Sequence, residues 1–258
     1  MTIVAGAGFF KPDWQVPVNI EAVVTTCIGG VSKAPYQSMN LALHVGDAEL
    51  DVVTNRQLLA REFEANLQWQ WLEQVHSANV VKVNRSFPNL VADGLITSTP
   101  GIACCVLTAD CLSVFFAADD GSEIAVAHAG WRGLASGILL NTIRGMSVPA
   151  SQLHVWLGPA IGACHFEVGA EVRDVFLAAY GKSVSADTIE TCFHPIPNSS
   201  KYMADLPGLA RMQLLAAGVA NVSGGKECTY CLADKYYSYR RTPVTGRQLS
   251  MIYLKSTD

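Results

Sequence analysis

Two apolar runs, Leu112–Ala118 and residues 123–127, flank the polar tetrad Asp119, Asp120, Gly121 and Ser122. A short Gly-containing polar break between strand-like runs predicts a β-hairpin. With the turn centred near Asp120 and Gly121, the numbers of facing residues sum to about 241, within a residue or two. Cys111 then lies opposite a residue near Gly130, within reach of His128. The hairpin folds a thiol and an imidazole together at its open end.

Apolar patterning also predicts strands over 19–26, 69–75, 79–83, 101–108 and 153–157, and a closing strand over 249–254. A Gly-rich turn follows the first of these, and residues 51–66 have a helical composition. Within 133–146, Ile138, Leu139, the methyl of Thr142, Ile143 and Met146 recur at helical spacing. Val168, Val172, Val175, Phe176 and Ala179 form one stripe within 166–180. Asp205 is the expected N-cap of a helix over 205–218. Leu209, Met212, Ala216 and Val219 line its face and Gly218 marks its stop. Strands and helices mix without a steady βαβ alternation, which points to α+β rather than a doubly wound parallel sheet. No repeat, linker or shift of composition divides the chain, so one domain over 1–258 is expected.

Half of the 258 residues are hydrophobic and 16% are charged, which supports a large core and excludes a disordered chain. A net charge of −4 gives no basic field for nucleic acid. No apolar run is long enough to span a bilayer. The N-terminus has no basic residue before its short apolar stretch and does not read as a leader. A cytoplasmic location is expected, with the eight cysteines mostly reduced. Their scattered spacing is no disulfide framework.

Cys111 and His128 admit three readings. They can be a nucleophile and its base, two ligands of a metal, or ordinary core neighbours, since free cysteine is among the most buried residue types. Context favours chemistry. Asp110 precedes the cysteine, and "HAGWRG" leads from a strand through Gly130 and Gly133 into a helix. Such a turn suits an anion, and the planar fork of Arg132 suits phosphate or carboxylate. A surface ion pair is the plainer role for that arginine.

His76, at the loop edge of "WLEQVHSANV", is the natural third ligand. Two histidines and one cysteine hold Zn²⁺ with a fourth position open to water. His154 lies mid-strand, and His165 and His194 have no supporting context. "CTYC" (residues 228–231) has no second CxxC beside it and reads as an ordinary pair. Arg240, Arg241 and Arg247 offer a second anion contact. Asn40 and His44 follow the Gly29–Gly30 turn without local evidence of a role.

The stretches "GGVSKAPYQSMNLALHVGD", "WLEQVHSANV", "TADC", "HAGWRGL", "WLGPAIGACHFEVGAEV" and "SYRR…TGR" resemble, in this order and over nearly the whole chain, the YfiH family. That family is also called the laccase-domain or polyphenol oxidase family. The resemblance implies a layered α/β/β/α fold with mixed sheets and a metal site, usually zinc, at His76, Cys111 and His128. It implies phosphorolysis of adenosine, inosine and methylthioadenosine, with adenosine deamination beside it. Purine nucleosides and phosphate are then the partners, with Cys111, His128 and Arg132 as catalytic residues and Asn40 and Arg132 contacting substrate. Members have also been called polyphenol oxidases, and a role on peptidoglycan precursors has been proposed. One departure stands out: Cys27 replaces the arginine usual in "TRxGGVS".

Six histidines with no His-x-His pair cannot build a multi-copper cluster in one chain, although one copper fits the same three ligands. The zinc-deaminase signature H-x-E with P-C-x-x-C is absent, so any deaminase here is of another lineage. Two further classes fit the same residues: a cysteine hydrolase using Cys111 and His128, and a non-catalytic zinc-dependent binding protein.

Overall fold

The computed structural model describes residues 8–256. The segment read above for a leader, and the ends of the expected 1–258 domain, fall in part on residues outside the described ones. The first half runs β1 (Phe9–Phe10), β2 (Ile20–Thr25), α1 (Glu49–Ala60), β3 (Gln68–Gln70), β4 (Val80–Lys82), β5 (Gly94–Thr97), β6 (Ile102–Thr108), β7 (Leu112–Ala118) and β8 (Ile124–Ala129). The middle holds α2 (Trp131–Ala135), α3 (Ile138–Gly145), β9 (Leu153–Leu157), β10 (Glu167–Gly169), α4 (Ala170–Tyr180) and α5 (Ala186–Glu190). The rest comprises β11 (Phe193–Pro195), β12 (Lys201–Ala204), α6 (Leu206–Ala216), β13 (Asn221–Gly224) and β14 (Gln248–Leu254).

Two mixed sheets result, ordered β1-β2-β14-β6-β3 and β13-β9-β7-β8-β5-β4, with a small third sheet, β10-β12-β11. Every residue of β7 is buried, because its sheet is covered on both faces. Leu112, Val114 and Phe116 face one core, with Leu139, Phe176 and Leu209 from the helices. Phe115 and Ala117 face the other, with Val24, Val106 and Ile252 of the opposing sheet. On the far side of that sheet, Val23, Cys105 and Met251 pack on Leu59 of α1. The period-two alternation of side chains thus builds helix, sheet, sheet and helix layers. Burying one such large side chain contributes about 1.5–3 kcal/mol.

The hairpin forms in the expected register. Leu112 faces Ala129 and Ser113 faces His128, so paired numbers sum to 241. Gly121 takes φ +73° in the turn, and Asp120 accepts from the backbone N–H of Ser122 at 2.9 Å. The β8 strand runs to Ala129, so His128 lies within it.

Other elements differ from the patterning. The 133–146 segment is two helices, broken at Gly137 with φ +91°. The stripe over 166–180 begins as a strand: Val168 belongs to β10, and α4 starts at Ala170. The expected strand over 69–75 ends at Gln70; beyond it Glu73 makes an isolated parallel bridge to Val91, and the Val75 N–H turns to the Asp93 carboxylate. The 205–218 helix agrees well, with Asp205 accepting from Gly208 N–H at 2.9 Å and Gly218 left-handed just beyond. Strands β5 and β13 and the small sheet carried no pattern strong enough to predict. Among the described residues, no helix is long and apolar enough to cross a membrane.

Candidate metal centre

The chain passes from one sheet to the other between β6 and β7, and that crossing builds the site. Asp110 turns it, with φ +86° and only 8% exposure. Its carboxylate accepts from Thr229 Oγ1 at 2.6 Å and from the backbone N–H of Arg240 at 2.7 Å. The next residue, Cys111, points toward the end of β8, where His128 sits 3% exposed.

His76 arrives from the loop before β4. Gln74 anchors that loop by clasping the backbone of Leu107, donating to its carbonyl at 2.9 Å and accepting from its N–H at 2.7 Å. Asp93, fully buried, anchors it a second time. Its carboxylate accepts from the backbone N–H groups of Val75, His76 and Ser77, at 3.3, 3.0 and 2.6 Å, and from the Ser77 hydroxyl at 2.7 Å. This multiple grip holds His76 at φ +59°, a conformation rarely adopted by a non-glycine residue. The same carboxylate contacts His128 Nδ1 at 2.8 Å.

The donor atoms of His76, Cys111 and His128 all lie within 4.8 Å of one another. Cys111 Sγ is 3.8 Å from His76 Nε2, and the two imidazoles meet edge to face with centroids 4.8 Å apart. Bond lengths at tetrahedral zinc separate a sulfur and a nitrogen ligand by about 3.6 Å. The set therefore fits a metal closely. Asp93 occupies Nδ1 of His128 and leaves Nε2 for the cluster, an outer carboxylate that fixes the ring. Gly130 makes the room: a Cβ there would lie 2.9 Å from Cys111 Sγ and 3.1 Å from His76 Cδ2.

The electrostatics of the metal-free site are coupled. Burial pushes the Cys111 thiol up, but the charge and hydrogen bond of His128, helped by His76, pull it down to about 6. Burial disfavours the His128 cation, yet the Cys111 thiolate and the Asp93 hydrogen bond hold it up at about 9. Burial works against the Asp93 carboxylate too, and the bonds from His128 and Ser77 outweigh it, leaving Asp93 at about 2. A thiolate, an imidazolium and a carboxylate thus stand in line, and a divalent metal can replace the proton.

The trio lies in a cleft of about 550 Å³. Arg132, Arg240 and Arg247 give it cationic walls, Phe166 and Tyr239 give it aromatic ones, and His44 lines it as well. Arg240 donates to the carbonyl of Glu167 at 3.0 Å, and Arg247 to those of Thr245 and Gly246 at 2.9 Å each. Arg132 is exposed and lies over the Trp131 ring at 4.3 Å. Burial and the nearby Arg247 and Arg56 lower the pKa of His44. The expected anion turn is a one-turn helix, and its glycines serve packing. A Cβ at Gly133 would meet the Ser77 carbonyl at 2.8 Å.

Asn40, expected to contact substrate, is not among the residues that line the cleft. It is fully buried. Its amide donates to Ala42 and Asp47 and accepts from the N–H groups of Ala42 and Arg247. Its role is to fix the backbone at Arg247. Cys27 also lies elsewhere, lining a separate pocket with Tyr237 and Arg241. Asp93 escaped the sequence reading. Its signal, an acidic residue opening an apolar run in "ADGLIT", has no local meaning until the fold sets it against His128.

A family model described as multi-copper polyphenol oxidoreductase laccase matches residues 21–255. The chain belongs to that family. It is 46% identical to a purine nucleoside phosphorylase of Pseudomonas aeruginosa, over 96% of this chain and 98% of that one. It is 42% identical to the purine nucleoside phosphorylase YfiH of Escherichia coli, over 94% and 97%. A crystal structure of a Neisseria meningitidis protein in the DUF152 family superposes with a TM-score of 0.90 at 42% identity, covering 96% of this chain and all of that one. The layered α+β arrangement is thus the family's own.

Proposed function

We propose that this protein is a zinc-dependent purine nucleoside phosphorylase acting on adenosine, inosine and methylthioadenosine, with adenosine deamination accompanying it. The observation that carries the reading is the donor trio in the lining of a cleft with cationic and aromatic walls. Support comes from near full-length similarity to proteins named purine nucleoside phosphorylases. His76, Cys111 and His128 are the proposed ligands. Zinc held there supplies a Lewis acid and a bound water of lowered pKa.

The chain's own residues do the rest. Arg132, Arg240 and Arg247 concentrate positive charge on one cleft of a net acidic protein and hold phosphate there. Phosphate adds to the anomeric carbon as the glycosidic C–N bond breaks, and the base leaves with the bonding pair and takes a proton. Phe166 and Tyr239 present ring faces to a purine. Asp93 keeps the His128 ring oriented throughout. A reducing, cytoplasmic setting belongs to this reading, since all eight cysteines are free and a ligand cysteine needs its thiolate.

The family's description speaks of copper. The same trio would take copper readily, and oxidation at a single copper is the accompanying side activity of this reading. One observation favours a second reading: the lowered Cys111 thiol beside a raised His128 is also a nucleophile–base pair. A nucleophile has no need of His76 at 3.8 Å on the same sulfur, and a metal does.

The deciding assay is release of hypoxanthine from inosine. Release is expected only with phosphate present, to be lost on chelation and restored by zinc. Release that ignores both phosphate and chelator would overturn the assignment. Arg132 gives a narrower expectation. No ion pair or side-chain hydrogen bond of Arg132 occurs among the described residues, which leaves its fork for the anion. Arg132→Ala is expected to cut kcat/KM for phosphate about 10–100-fold, the worth of a charged hydrogen bond, and to spare deamination. Lysine should rescue poorly. Equal loss of both activities would assign Arg132 to nucleoside binding or to structure.

A further inference from the structure

Of the eight cysteines, Cys111 belongs to the cleft and Cys27 to a separate pocket, and the other six fall into two groups. Cys104, Cys105 and Cys192 are buried, as unpaired core cysteines usually are. Cys164 and Cys231 are exposed, and Cys228 is half-buried. Packing therefore does not explain them, yet all three converge. Cys164 Sγ is 3.6 Å from Cys228 Sγ and 3.5 Å from Cys231 Sγ. His165 joins them, with Nδ1 3.3 Å from Cys231 Sγ. All four donor atoms lie within 4.8 Å of one another, in a group separate from the cleft trio.

We propose that Cys164, His165, Cys228 and Cys231 form a second metal site, a closed Cys₃His zinc centre that staples the loop after β9 to the segment after β13. Three features carry it. The donor set is complete: four ligands leave no open position, the pattern of a structural zinc rather than a catalytic one. The spacing fits, because tetrahedral zinc holds two thiolate sulfurs about 3.8 Å apart. A backbone N–H already serves the cluster, with Gly162 donating to Cys228 Sγ at 3.2 Å, as a thiolate requires. The ring of His165 is also held in place, stacked on Tyr230 at 3.9 Å.

The two segments joined here build one wall of the cleft. Among the described residues they pair through the isolated bridge of Ala160 to Cys228, in which the Ala160 N–H donates to the Glu227 carbonyl at 3.2 Å and the Thr229 N–H to the Ala160 carbonyl at 3.0 Å. Thr229, between the paired cysteines, holds the Asp110 carboxylate next to Cys111. Arg240 reaches back to the Glu167 carbonyl, just past His165. A metal at the cluster would lock these two loops against the residues that shape the cleft. The sequence reading missed this site because CxxC supplies half of it, and the other half lies over sixty residues earlier.

Metal content and native mass spectrometry of protein made without added metal test the proposal. About two zinc per chain are expected, one for each donor group. His76→Ala with Cys111→Ala should leave about one, and cobalt in its place should show tetrahedral bands with thiolate charge transfer. Cys228→Ser with Cys231→Ser should remove that same equivalent; if this variant does not fold, the cleft-side variant alone decides. A cleft-side variant without metal, a disulfide among the three thiols, or iron in place of zinc would each overturn the proposal. Phosphorolysis with one zinc per chain would sink this site and leave the proposed activity standing. Two zinc without phosphorolysis would do the reverse.

Discussion

Asp93→Asn is expected to be the most damaging single-atom change in this protein. The carboxylate is fully buried and takes three backbone N–H groups, one hydroxyl and the His128 ring. An amide keeps one acceptor oxygen and turns an NH₂ group toward donors it cannot satisfy. Breaking a buried charged pair costs about 3–5 kcal/mol, and losing an outer carboxylate lowers metal affinity about 10–100-fold. Denaturant unfolding should show the first loss and competition with a zinc chelator the second. A variant with the wild-type midpoint and metal affinity would show that Asp93 neither holds the His76 loop nor orients His128.

Cys111→His carries the second large effect and separates the two roles open to this cysteine. Imidazole is a competent zinc ligand, so part of the zinc binding at the cleft should survive. Its longer reach displaces the metal, and the space beside Gly130 is already tight, with a bare Cβ position 2.9 Å from the sulfur. Misplacement by about 1 Å costs on the order of 100-fold in rate, and turnover should fall by at least that. No covalent adduct should form on Cys111 of the unaltered protein. An adduct seen by mass spectrometry with native substrate would establish a nucleophile and refute the ligand role.

Much of the site was legible because its signals are local. The apolar runs around "DDGS" set the hairpin register, and register alone brings Cys111 toward Gly130 and His128. The loop-edge position of His76 followed from where one apolar stretch ends. The α+β class followed from mixed periodicities, and α6 from its cap and stop residues.

Local signals failed where one residue's meaning depends on a distant partner. Val168 obeys the helical stripe yet pairs in β10 across from Tyr202, since a strand partner outbids the helix once it is present. Asn40, given a substrate contact only by the family resemblance, is fully buried, and its amide oxygen accepts from the backbone N–H of Arg247, over two hundred residues away.

By itself, then, the sequence determined the hairpin, the pairing of a thiol with an imidazole at its end, and the family to which those motifs belong. Periodicity and turn chemistry act over a few residues, and these features need no more. Only the tertiary structure decided that Asp93 governs both His76 and His128, and that the crossing at Asp110 aims Cys111 into the cleft. It alone brought Cys164 and His165 to the CxxC pair. Each of these is a convergence of segments far apart in the chain, created when the two sheets bury their facing side chains and carry the loops at their ends into contact.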